Sequence, residues 1–290
     1  MTDPAPNPIP ELSILTVNYR CASALLEAQR RLAAMPPACS FEWIVVNHSP
    51  EEGIAPCRAI ARHVRLIDEP NLGFARGVNA AARAAAAPVL FLANPDLVFD
   101  GALLDGALER LAAEPDVGVL GPQLLHTDGR VQRSARRFYT WPDALFARLP
   151  GRDALRPPSF WRRHLMLDEP LDEAADVDWL LGAALFVRRS ALRDVRGDVF
   201  DPRYFLYFED VDLCMELWSR GWRVRYDPSL GATHAHARAS RSLGSKAARV
   251  HAASFFKFVR KWGGLPRRPA APPHAGGAGA AAALGRPRAR

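Results

Sequence analysis

Four short apolar runs, Leu12–Val17, Glu42–Val46, Val64–Ile67 and Val89–Leu92, alternate with helical stretches across the first hundred residues. Each run is short, as strands are; Leu12–Val17 and Glu42–Val46 read as buried strands, and Val64–Ile67 and Val89–Leu92 as a third and a fourth strand. Between them the spacing predicts helices over Ala22–Ala34, stopped by Pro36-Pro37, over Glu52–Arg62, and from the Asn71–Asn79 loop to Ala86. This alternation predicts an α/β fold with a mostly parallel central sheet and helices on both faces. Sheets of this kind bind ligands beyond the carboxyl ends of their strands, and Asn18, Asn47, Asn71 and Asp96 fall there.

The later chain is less periodic. A helix over Gly101–Ala113 and a strand over Val117–Gly121 are followed by residues 122–176, where Arg, Pro and Trp mix without a period. This stretch is expected to be an insertion or lid facing the substrate. Order returns at Val177–Arg188, read as one strand whose small Gly182-Ala183 centre admits a ligand or another backbone. Phe205–Leu217 then carries an apolar run straight into Glu209, Asp210 and Asp212, which open a helix ending at Gly221. Acids in a first turn are ordinary, because the exposed N–H groups there are partly positive. A carboxylate delivered beside apolar surface also has its pKa raised, which suits a general base. Asp210 and Asp212 lie about 200° apart on a helix and are expected in different surroundings. Trp222–Tyr226 reads as a strand, followed by His234-Ala235-His236.

The net charge is +7, but five of the 38 basic residues lie in the acid-free stretch 265–290, leaving 33 against 31 acidic residues. A near-neutral body argues against nucleic acid as a partner. The scattered Cys21, Cys39, Cys57 and Cys214 predict reduced thiols and a cytoplasmic protein. Residues 1–10, with four prolines and no apolar core, do not read as a signal peptide and are expected to be disordered. Residues 265–290, rich in Pro, Gly, Ala and Arg, are expected to be a disordered tail. Lys246–Trp262 reads as a basic amphipathic helix that can either pack its aromatics on the body or lie peripherally on the inner face of a membrane.

Six motifs in order carry a resemblance: Thr16-Val17-Asn18-Tyr19, Asn71-Leu72-Gly73-Phe74 with Asn79, Asn94-Pro95-Asp96, Gly182-Ala183 with Arg188-Arg189, Tyr207–Leu213, and His234. Together they resemble the inverting glycosyltransferases of family 2, with the GT-A fold, and the bacterial rhamnosyltransferase type within it. The resemblance covers residues 12–262 and implies one domain over 11–264. Its first part, 11–121, would hold the nucleotide sugar, and 122–264 would form the acceptor side. It further implies transfer of a sugar, rhamnose in that subgroup, from a UDP or dTDP type donor to a hydroxyl of a glycan or lipid-linked acceptor.

Residue by residue, the resemblance makes Asp210 the catalytic base, and Asp96 and His234 the ligands of Mg²⁺ or Mn²⁺. Thr16, Asn18, Asn47, Gly73, Arg76, Asn79, Trp179, Gly182, Ala183 and Glu209 would bind substrates. Asn47 departs from the family, which has an aspartate there to receive the base N3–H, and only Asp96 is a carboxylate in Asn94-Pro95-Asp96. Two other functions fit parts of the chain. A binding protein that has lost turnover would explain Asn47 and Asn94. A sugar nucleotidyltransferase should carry a Gly-rich loop after the first strand, and Asn18–Cys21 has no glycine.

Overall fold

The early apolar runs become neighbouring strands in a computed structural model, which describes residues 8–52, 64–149, 151–152, 155–235 and 246–269. β1 (Leu12–Asn18), β2 (Phe41–Asn47), β3 (Val64–Asp68) and β4 (Val89–Ala93) pair in parallel in the order β3-β2-β1-β4. Their register aligns Asn18, Asn47 and Asp68 side by side at the carboxyl edge. α1 (Ala22–Ala34) follows β1 and α2 (Phe74–Ala84) follows β3. The predicted helix at Glu52–Arg62 falls almost wholly outside the described residues; Pro50–Glu52 forms a single 3-10 turn.

Strand alternation divides the core. Leu15, Val17, Ile44 and Val46 face one side with Ala75 and Val78 of α2, while Ile14, Trp43 and Val45 face the other with Leu25 and Leu32 of α1. β5 (Leu97–Val98) and α3 (Gly101–Ala113) come next, with Leu103 and Leu104 joining the second side.

The stretch predicted to be irregular is hydrogen-bonded structure. β6 runs over Val117–Leu125, beyond its expected end, and β7 (Val131–Gln132) pairs with it. β8 (Ala135–Arg136), α4 (Trp141–Phe146), α5 (Ser159–His164) and β9 (Ala175–Asp176) complete the segment. Ala135, Phe138, Ala144 and Met166 are core residues, so the segment forms a wall of the molecule.

The expected single strand 177–188 is two: β10 (Trp179–Leu180) pairs antiparallel with β8, and β11 (Ala184–Arg188) enters the main sheet between β4 and β6. The break falls at Gly182. α6 (Arg189–Val195) and α7 (Glu209–Ser219) precede β12 (Arg223–His234), which continues through Pro228 because its pairing with β6 shifts between Asp227 and Gly231. α8 (Lys246–Trp262) closes the described chain. The expected boundary at 264 falls short: Leu265 packs on the core and the Arg268 guanidinium lies 3.9 Å from the Trp218 ring centre.

Gly73 serves the fold directly. Its φ is 103°, and a Cβ there would come within 2.5 Å of the Phe205 carbonyl oxygen. The absence of a side chain lets Phe74 N–H donate to that oxygen at 2.7 Å, which docks the start of α2 on the loop before α7. Gly73→Ala is therefore expected to destabilise the protein by about 2–4 kcal/mol. Gly129→Ala, at a similar φ but facing open space, should cost about 1 kcal/mol. Urea titration of both variants checks the difference.

Candidate functional site

α7 begins under strain. Tyr207 and Phe208, consecutive non-glycine residues, have φ of 70° and 69°. The Phe208 ring is held among Tyr139, His251, Phe255 and Phe258, with centroids 5.2–5.6 Å away. Burial drives His164 and His251 down to about 3 and about 4 and Tyr139 up to about 12, so this aromatic layer is uncharged at neutral pH.

From that anchored start the first turn aims Asp210 at the strand break. Its Oδ2 accepts from Gly182 N–H at 2.9 Å and its Oδ1 from Val211 N–H at 2.8 Å. A Cβ on Gly182 would stand 3.4 Å from that of Asp210, an ordinary contact, so the backbone–carboxylate approach does not itself require glycine. Burial raises the Asp210 pKa, opposed by those N–H groups and by the charge of Arg136. Glu209 is buried more deeply, and its Oε2 has no hydrogen-bond partner among the described residues. Burial, then repulsion from Asp210, puts its pKa well above the carboxylate range. Both carboxyls are thus harder to ionise than in water, and the two N–H donors on Asp210 favour its charged form over that of Glu209.

Asp212 faces elsewhere, as the helical spacing predicts. It accepts from Lys261 Nζ at 2.6 Å and Trp262 Nε1 at 2.9 Å, and Tyr204 and Arg196 also reach it. Lys261 also bonds Asp201 and Glu216, so it and Arg196 already supply the positive charge which that acidic cluster needs.

Asp96 and His234 meet across the ends of β4 and β12, with His234 Nε2 3.3 Å from Asp96 Oδ1. Gln132 Oε1, which can only accept, lies 3.0 Å from His234 Nδ1, so Nδ1 carries the hydrogen and Nε2 faces Asp96; Asn94 Nδ2 lies 3.4 Å from Nε2. An imidazole nitrogen and a carboxylate oxygen this close could serve together as ligands of a divalent cation. The oxygen and imidazole donors suit Mn²⁺ or Mg²⁺. His236 lies outside the described residues. Asn94 N–H donates to Ala183 O at 3.0 Å, so Ala183 and Gly182 join the Asp96–His234 pair to Asp210 through consecutive backbone bonds.

At the other end of the edge, Asn47 Oδ1 accepts from Asn18 Nδ2 at 2.9 Å and Ser49 N–H at 3.2 Å, while its Nδ2 donates to Asp68 at 2.7 Å. With both lone pairs engaged, the Asn47 amide is oriented as a donor. The exposed carboxylate at this edge is that of Asp68, one strand over. Arg76 is exposed on α2 and lines a cavity of about 170 Å³ with Glu69 and Leu72.

Other expected binding residues are engaged in the fold. The Thr16 hydroxyl accepts from Trp43 Nε1 at 3.0 Å inside the core. Asn79 bonds both backbone atoms of Phe200, at 2.7 and 2.9 Å. Trp179 is buried behind Tyr139 and donates to Arg137 O. Sequence reasoning missed Gln132, Arg136 and Asp68. The first two lie in the stretch without a period, and only the β7 and β8 pairings bring them to the site.

Comparison with known proteins agrees with this arrangement. The family model described as Glycosyl transferase family 2 matches residues 13–173. N-acetylglucosaminyl-diphospho-decaprenol L-rhamnosyltransferase of Mycobacterium tuberculosis is 34% identical over 186 residues, 62% of this chain and 58% of that protein. The chain thus spans little more than half of that relative. Among solved structures, the mannosyltransferase PcManGT of Pyrobaculum calidifontis, in complex with GDP-Man and Mn²⁺, superposes with a TM-score of 0.56 at 18% identity, covering 91% of this chain and 68% of that one. TarS of S. aureus in complex with UDP-GlcNAc gives 0.54 at 13% identity, covering 86% and 66%. These two show the shared fold. With its sheet, its acidic helix start and more than half its length matched by the family model, the chain belongs to glycosyl transferase family 2.

Proposed function

We propose that the protein transfers a sugar from a nucleotide diphosphate donor to an acceptor hydroxyl with inversion. The observation that carries the reading is the continuous path from the Asp96–His234 pair through Asn94, Ala183 and Gly182 to the Asp210 carboxylate. Such a path would put a pair able to hold a cation and a general base on the two sides of one strand break. Likeness to the mycobacterial relative supports L-rhamnose as the sugar and a lipid-linked sugar as acceptor.

In this mechanism Asp210 accepts the proton of the acceptor hydroxyl as its oxygen bonds to the anomeric carbon. The bond from that carbon to the diphosphate oxygen breaks, and its electron pair leaves with the nucleotide. Asp96 and His234 would hold the divalent cation, with Gln132 fixing the imidazole; when bound, the cation neutralises charge on the departing diphosphate. Gly182 N–H orients the Asp210 carboxylate, and neutral Glu209 avoids placing a second charge beside the base. Asn18, Asn47 and Asp68 would present the strand edge to the nucleotide base, with Asn47 donating and Asp68 accepting.

Asp210→Asn is expected to lower single-turnover rates about 10²- to 10⁴-fold while donor binding in Mn²⁺ stays near wild type. Because burial raises the pKa of Asp210, the acid limb of the rate profile should lie above the ordinary range near about 4. Wild-type activity in Asp210→Asn would reject this assignment.

Glu209→Gln copies the protonated side chain and should retain turnover. The folded protein holds the Glu209 proton more tightly than the unfolded chain. Its contribution to stability is full below the unfolded pKa of about 4.3 and is lost as pH rises toward the folded value. Glu209→Gln removes that loss, so melting curves should show it gaining on wild type as pH increases from 4 to 7.

Calorimetry should find Mn²⁺ binding lost in Asp96→Ala and His234→Ala. In Gln132→Ala it should weaken about 10- to 100-fold. Equal Mn²⁺ affinity in all four proteins would place the cation elsewhere.

A further inference from the structure

α8 has two unlike faces. Phe255 and Phe258 point into the core and Lys261 into the acidic cluster. The outward stripe, spaced 246, 249, 253, 256, 257 and 260, is exposed along its length and carries four cations. The helix has no acidic residue.

Amid those cations Phe256 is 66% exposed, although its neighbour Phe255 is buried. Trp141 of α4 meets the other side of Phe255, ring centroids 6.2 Å apart, and is itself 55% exposed. One turn on, Leu145 is 71% exposed, and the Arg148 guanidinium lies over the Phe255 ring at 5.2 Å.

Folding does not require this apolar outer face. α4 is fixed by its other side, where Asp143 closes a capping box with Thr140 and pairs with Arg163 at 2.9 Å. α4 and α8 thus meet at Phe255, and each presents exposed apolar side chains near Arg or Lys.

We infer that this α4–α8 surface docks on an anionic lipid bilayer. Aromatic and leucine side chains enter the headgroup boundary while the cations meet lipid phosphates and carboxylates, a division of labour characteristic of interfacial helices. A protein partner would have to supply a dense acidic ring to match the same cations. The described helices include none long and apolar enough to cross a membrane. The surface sits directly behind Phe208, through Phe255 and His251, and therefore near the base. If the proposed transfer to a lipid-linked acceptor holds, docking delivers that acceptor to Asp210; the binding itself does not depend on it.

The test is co-sedimentation of the full chain with vesicles of phosphatidylcholine alone or mixed with phosphatidylglycerol, at about 0.1 M and about 0.5 M salt. Binding is expected to the mixed vesicles, weaker at high salt, and reduced about tenfold or more in Trp141→Ser/Phe256→Ser. Lys257→Glu/Arg260→Glu should bind less and lose its salt dependence in part. All four side chains are exposed, and unchanged melting curves verify folding. No binding to mixed vesicles overturns the inference. So does undiminished binding by Trp141→Ser/Phe256→Ser, which would assign the attraction to arginines elsewhere in the chain. A concentration-dependent dimer abolished by Trp141→Ser/Phe256→Ser in sedimentation equilibrium, without vesicle binding, would assign the patch to a second copy. None of these measurements uses sugar transfer, so they stand or fall apart from the proposed reaction.

Discussion

The Lys261 ammonium, set among Asp201, Asp212 and Glu216, is the interaction on which the packing of α6, α7 and α8 depends. Burial raises the pKa of Asp212 even though Lys261 opposes it, so desolvation there is only partly offset. Taking the cation away would leave buried carboxylates facing one another, at a cost of about 3–5 kcal/mol. The pairing ties the end of α8 to the first turns of α7, and Arg196 ties the end of α6 to the same carboxylates. The direction of α7 follows from this, and with it the aim of Asp210. A cluster with the carboxylate spacing of a metal site is here an internal clamp.

Much of the sheet was legible because its information is local. Continuous apolar runs and their spacing from helical stretches give β1 to β4 without reference to distant residues, and helical angle alone separates Asp210 from Asp212. The placement of candidate side chains was legible where a carboxylate or histidine stands at a strand end or helix start, as Asp96, His234 and Asp210 do. It was illegible where a polar side chain had two outlets. Asn79 bonds Phe200, 121 residues away, and Thr16 bonds Trp43 across one strand; nothing near either position distinguishes such a partner from a ligand. Gln132 and Arg136 belong to two-residue strands, too short to show a period of two. Arg268 looked like part of a featureless tail because its partner, Trp218, lies a helix and a strand earlier in the chain.

The edge formed by Asn18, Asn47 and Asp68 shows charge moved without being lost. Asn47 stands where the resemblance calls for an aspartate, yet its amide is turned by two donors so that it points its own N–H at Asp68. The parallel register brings these residues together, since Asn18, Asn47 and Asp68 are consecutive partners across three strands. A single substitution read along the chain suggests a missing acceptor. Across the sheet, an acceptor is still present on the adjoining strand.

The left-handed pair Tyr207-Phe208 has a consequence for how this protein can change over time. Each such residue costs on the order of 1–3 kcal/mol of backbone strain, and here the opposing force is the packing of Phe208 against rings of α8 and the α4 wall. Selection acting on the outer helix therefore acts on the first turn of α7 as well. A change in the rings of α8 that suits a new surface loosens the grip on Phe208 and lets the backbone relax toward ordinary angles, turning Asp210 away from Gly182. Adaptation of this part of the molecule is confined to paired changes, in which a new outer face arrives together with a new ring to hold Phe208 in place.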